Sequence, residues 1–192
     1  MRKTLSCFVL AIAMAGCTGA SARGRITQLG EISVRPGPNQ VNMFVQDGRS
    51  GLITEGWRDL GGTVGYPVYT VMIPSTNPAR GWDIVPVETG DKHETTEITG
   101  AARFARGWLD GTPTTFVFTA HRDSDSDMAR PATMVVDAYR LVTSRKGDRS
   151  ENAFVLVSST KSSDKVCNPD TAIAREFGLE EGNERLRHGS CV

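Results

Sequence analysis

Asp123-Ser124-Asp125-Ser126-Asp127 sets three carboxylates at alternate positions, the spacing at which a loop can wrap hard oxygen ligands around a calcium ion. A complete helix–loop–helix calcium loop also needs a glycine at its sharp turn and a bidentate Glu at its end. Met128 and Met134 occupy those two places. A polar hairpin tip with like charges pointing into water explains the segment without a metal. Asp123, Asp125 and Asp127 therefore stand as a calcium candidate beside a plain structural alternative.

The other reactive residues are arranged less favourably. His93-Glu94-Thr95-Thr96-Glu97 is half of a zinc-hydrolysis motif, which needs two histidines one helical turn apart and a Glu as base. Glu97 stands where the second histidine belongs, and Thr95-Thr96 makes a poor helix interior, so a solvated strand or loop is the better reading. Gly48-Arg49-Ser50-Gly51 is not a serine elbow, because Leu52 replaces the second glycine of Gly-x-Ser-x-Gly. His121, Asp123 and a serine can be drawn as a triad, but triads are defined by geometry, and His121 more simply ends a strand beside a polar turn. No phosphate loop or dinucleotide fingerprint occurs. Trp57, Trp82, Trp108, Tyr66, Tyr69 and Tyr139 are expected mainly as core anchors and sheet-face packing, with a sugar or peptide groove as the alternative. Trp82 follows the loop-like stretch Ser75 to Gly81, so it is the aromatic expected to be exposed and the candidate ligand-binding residue.

The N-terminus carries chemistry of another kind. Arg2 and Lys3 precede an apolar run from Leu5 to Ala15, and small residues then surround Cys17. That order is an export signal, too short to be a spanning helix. Met14-Ala15-Gly16-Cys17 resembles the lipobox of bacterial lipoproteins, which implies cleavage before Cys17 and a lipid on that residue. By the same resemblance Thr18, where an Asp would signal retention, implies an outer-membrane anchor facing the periplasm. Ala20-Ser21-Ala22 also fits an ordinary signal-peptidase site, which would release a soluble periplasmic or secreted protein. Residues 1–22 are read as the signal segment, 18–25 as a short flexible tether and 26–192 as a single globular domain.

Both routes remove Cys7 from the count and leave Cys167 and Cys191 as the free pair. In an oxidising compartment one disulfide is expected, worth about 3 kcal/mol in the chain-entropy model. The alternative is zinc held by Cys167, Cys191 and His188, for which no CxxC knuckle or fourth ligand is evident.

The full chain has 192 residues with 22 basic and 22 acidic side chains. Loss of residues 1–16 takes Arg2 and Lys3 and no acid, leaving 20 basic against 22 acidic and a net charge of −2. The basic residues are interleaved with acids, unlike the footprint of a nucleic-acid binder, so nucleic acid is excluded as an expected partner.

The elements that position these residues read as an antiparallel β protein. Strands are expected from Ile26 to Val34, Val41 to Gln46, Tyr66 to Ile73, Ala132 to Ser144 and Ala153 to Thr160. A hairpin joins Ala101–Leu109 to Thr114–His121 through Asp110-Gly111, because Asp-Gly supplies the positive φ angles of a tight turn. Leu52, Ile53, Trp57 and Leu60 suit one helical face that Gly61-Gly62 would end, predicting a helix near 50–60. Asn168-Pro169-Asp170 starts a C-terminal helix that Gly178 stops. The fold class is α+β, a mainly antiparallel sheet of meanders and hairpins with a C-terminal helix.

Signal, bridge and missing catalytic constellation together point to a non-enzymatic lipoprotein domain. Its expected partners are the membrane, through Cys17, and another envelope protein or cell-wall component. The alternatives are a soluble periplasmic domain binding a ligand near Trp82 or calcium at Asp123, Asp125 and Asp127, and a hydrolase with an unrecognised site around His93, His121 or His188.

Overall fold

Strands β6 (Gly100–Leu109), β7 (Thr112–Arg122) and β8 (Met134–Lys146) carry apolar residues on both faces, and the fold covers both. The structure, a computed structural model, describes residues 24–61, 64–88, 100–123, 130–146, 149–180 and 191. With β1 (Ile26–Ile32) and β9 (Arg149–Lys161) these strands form a five-stranded sheet in the order β1-β6-β7-β8-β9. A second sheet, in the order β2-β3-β4-β5, contains β2 (Gly37–Val41), β3 (Gly51–Gly61), β4 (Val64–Pro74) and β5 (Trp82–Glu88). Neighbouring strands in both sheets run antiparallel.

One face of the larger sheet presents Ala105, Phe116, Phe118, Met134 and Val136 to Ala172 and Ile173 of helix α1 (Pro169–Phe177). The other face presents Phe104, Val117 and Leu141 to Ile53, Tyr69, Val71, Ile73, Val85 and Val87 of the smaller sheet. The result is helix on sheet on sheet. Each buried Phe, Ile or Val contributes roughly 1.5–3 kcal/mol of transfer free energy. The four-stranded sheet therefore has no helix layer on its outer face among the described residues.

Local signals set several elements. Asp110 and Gly111 have φ of 49° and 79°, and the hairpin closes with Leu109 opposite Thr112, as expected of Asp-Gly. Asn168 caps α1 by accepting the Asp170 N–H at 2.9 Å, Pro169 takes the first turn, and Gly178 ends the helix at φ 63°.

The helix expected near 50–60 is strand β3. Ile53 is buried between the sheets, whereas its neighbour Leu52 lies on the outer face opposite Met72, so the two share no helical stripe. Pairing on both sides, with β2 and β4, outweighs local helical spacing. Gly51 is required there because a Cβ would lie 2.7 Å from the Phe44 ring. The strand expected over Val41 to Gln46 is not formed either. β2 ends at Val41, Met43 adopts φ 52°, and Phe44 and Val45 are both buried although adjacent.

Hydrogen bonds between the loop after β2 and the ends of β7 and β4 define one end of the sandwich. Thr115 donates to the Phe44 carbonyl at 2.6 Å, Gln46 donates to the Pro113 carbonyl at 2.9 Å, and Arg49 donates to the Pro74 carbonyl. Arg25 enters at the same end, its N–H donating to Asp110 at 2.8 Å. The ends of β7 and β9 and the start of β8 lie at the opposite end.

Candidate functional site

At that opposite end the inter-sheet face of β7 and β8 turns polar. Thr119 is opposite Asp137, and Asp137 is opposite Ser159 of β9. Tyr139 points to the same face, two residues along, and its hydroxyl donates to Asp137 at 3.4 Å. Burial, then the Asp137 charge, pushes the Tyr139 phenol above its ordinary pKa, so it stays a neutral donor. The register shifts between Ala138 and Tyr139, which gives β9 one extra residue there. Such bulges bend an edge strand and re-aim its side chains. On β9, Leu156 opposite Tyr139 stands exposed on this face, and Val155 opposite Arg140 stands exposed on the other. Thr119, itself buried, Asp137 and Tyr139 thus form a polar shelf beside an apolar rim. A neutral phenol with raised pKa is not an activated nucleophile.

A second polar pair lies between the sheets. Glu55 is opposite Tyr69, whose ring meets Phe104 edge-on at 5.4 Å. Burial raises the pKa of the Glu55 carboxyl, and burial followed by the Glu55 charge raises that of the Tyr69 phenol. A carboxyl with a raised folded pKa binds its proton more tightly in the folded state. Its ionisation costs stability as pH climbs from the unfolded pKa through the folded one, and the cost is absent below that window. Glu55→Gln is therefore expected to melt higher than wild type at pH 7, with the gain gone below about pH 4. Thermal melts at both pH values check this, and an equal gain at each would disprove an ionisation effect.

The residues singled out from sequence are dispersed. Asp123 is engaged by Lys161 at 2.5 Å; Asp125 and Asp127 lie outside the described residues. His121 ends β7 opposite Val135, and the neighbouring Asp123 is turned to Lys161. His93, Glu94, Glu97, His188 and Cys17 also lie outside the described residues. Among the described residues no three His, Cys, Asp or Glu side chains are grouped to hold a metal. Cys167 and Cys191 are bridged, their Cα atoms 5.4 Å apart, which removes both sulfurs from the zinc alternative. Trp82 is exposed, as expected, but so are Trp57 and Trp108, which corrects their reading as core anchors. Tyr69 does take a core position.

Sequence reasoning missed Arg103. It sits buried on β6, with two bonds to the Asp170 carboxylate of 2.6 and 2.5 Å, a bond to the Glu180 carbonyl and Glu31 at 3.4 Å. Burial raises the Glu31 pKa against the pull of Arg103. A usable signal existed: Arg103 shares strand parity with Ala101 and Ala105, so it had to be buried and had to find a carboxylate.

No family model matches the chain, and no curated protein matches it. The crystal structure of CarG has a similar fold. The two share 16% identity with a TM-score of 0.55, over 75% of this chain and 93% of CarG. That likeness concerns the arrangement of sheets and helix. Among the described residues, no helix is long and apolar enough to cross a membrane.

Proposed function

We propose that the chain is an exported, non-enzymatic domain, tethered to the outer membrane by a lipid on Cys17. It holds a periplasmic envelope component at the shelf of Thr119, Asp137 and Tyr139. The observation that carries this reading is the bridged pair Cys167–Cys191, because such bonds persist in oxidising compartments and not in a reducing cytosol. Met14-Ala15-Gly16-Cys17 supplies the tether. The shelf supports a binding role because it sets a carboxylate and a phenol donor beside an exposed apolar edge. It lies about 23 Å along the strands from the end where Arg25 enters, counting from Leu109 to Ala102 on β6. A bound partner would therefore sit away from the anchor.

Growth with a clickable fatty acid tests the tether. Wild type is expected to carry the label and Cys17→Ala to carry none. Label that survives the substitution, or none in the wild type, would end the lipoprotein reading.

A further inference from the structure

The exposed apolar residues gather unevenly. Met43 is 57% exposed, Trp82 53%, Ile84 65% and Trp108 39%, and all four lie at or beside the end where Arg25 enters. Trp108 is opposite Pro113, next to the turn that bonds Arg25. Met43 belongs to the loop that bonds Pro113 and Thr115. Trp82 opposes Pro74, whose carbonyl accepts from Arg49 of that same loop. Ile84 follows two residues on along the same outer face, in line with Met72 and Leu52. Trp57 is equally exposed, at 55%, but lies toward the other end, about 23 Å away along the strand from Pro74.

Met43 adds an independent observation. Its φ of 52° is a left-handed conformation that side chains with a Cβ rarely adopt, and it lifts an apolar side chain into solvent. Strain of this kind is characteristically kept where a contact uses it.

We infer that this end of the sandwich rests on the membrane surface, with Met43, Trp82, Ile84 and Trp108 seated at the lipid headgroup boundary. The inference rests on the Cys17 tether. Seven residue steps separate Cys17 from Gly24, so a lipid on Cys17 holds this end within about 25 Å of the bilayer. Trp is suited to such a boundary because its ring is apolar and its N–H remains hydrated. Arg25 and Arg80 are exposed at this end and can reach headgroup phosphates. The contact orients the domain and turns the Thr119–Asp137–Tyr139 shelf toward the periplasm.

The test uses the mature full-length protein in vesicles of phosphatidylethanolamine and phosphatidylglycerol with brominated acyl chains. Three variants each keep one tryptophan, the other two being replaced by Phe; circular dichroism and an intact bridge verify folding. Trp82 and Trp108 are expected to be quenched at least twofold more than Trp57. Equal quenching at all three would overturn the inference while leaving the anchor intact. A blue shift of Trp82 without bromine quenching would also overturn it, since a second copy or another protein would then cover this end. The mass of the N-terminal peptide reports the lipid separately. If Cys17 is unmodified the anchor fails, and the same quenching order on added vesicles would still uphold the contact, whereas its absence would end it.

Discussion

Arg103→Ala is expected to cost about 3–5 kcal/mol of stability, the range for removing one partner of a buried ion pair. The guanidinium is buried between β6 and the start of α1, and it bonds both oxygens of Asp170. Truncation leaves Asp170 and Glu31 near one another without the cation, and it frees the Glu180 carbonyl that fastens the chain after α1. Net stability of a domain this size is roughly 5–15 kcal/mol, so the loss is a large fraction of it. Urea unfolding followed by circular dichroism measures it, as a lower midpoint at unchanged slope. Arg103→Met retains much of the volume and separates charge from packing. Paired with Asp170→Asn it closes a double-mutant cycle in which strong coupling is expected. A loss below about 1 kcal/mol in Arg103→Ala would place this pair with ordinary surface salt bridges and remove it as the clamp on α1.

The parts of the fold that were legible are those with local causes. Asp110-Gly111 forces its turn by backbone conformation alone, and Asn168-Pro169 with Gly178 brackets α1 through its own unsatisfied N–H and C=O groups. β3 was misread because Leu52, Ile53, Trp57 and Leu60 fit a helical spacing, while what decides the segment is its pairing with β2 and β4. The chain divides into two sheets because only a second sheet covers Phe104, Val117 and Leu141, a requirement that appears once β6, β7 and β8 are placed side by side. The shelf was invisible for a related reason. Thr119, Asp137 and Tyr139 are brought together by the β7–β8 register, and the bulge that re-aims the edge beside them leaves no mark in composition. Trp82 was legible because an exposed loop precedes it; Trp57 lacked such a cue.

The Cys167→Ser, Cys191→Ser double variant is expected to lose about 3 kcal/mol without losing the fold. The bridge spans a sequence separation of 24, and most of its effect comes from limiting the unfolded chain. It does not hold α1 in place by itself. Val166, beside Cys167, exchanges backbone hydrogen bonds with Ala132, Asn168 caps the helix, and Phe177 stacks on Phe118 with ring centroids 4.1 Å apart. Helix docking should therefore survive reduction, and the damage should fall on the tail and on the unfolding midpoint. Replacing both cysteines avoids the stray thiol that a single substitution would leave to form intermolecular bonds. Urea curves of wild type with and without reductant should differ by the same amount as wild type and the double variant. Coincident curves, or two free thiols in protein recovered from the periplasm, would remove the bridge from the stability of the domain and take with it the main support for export.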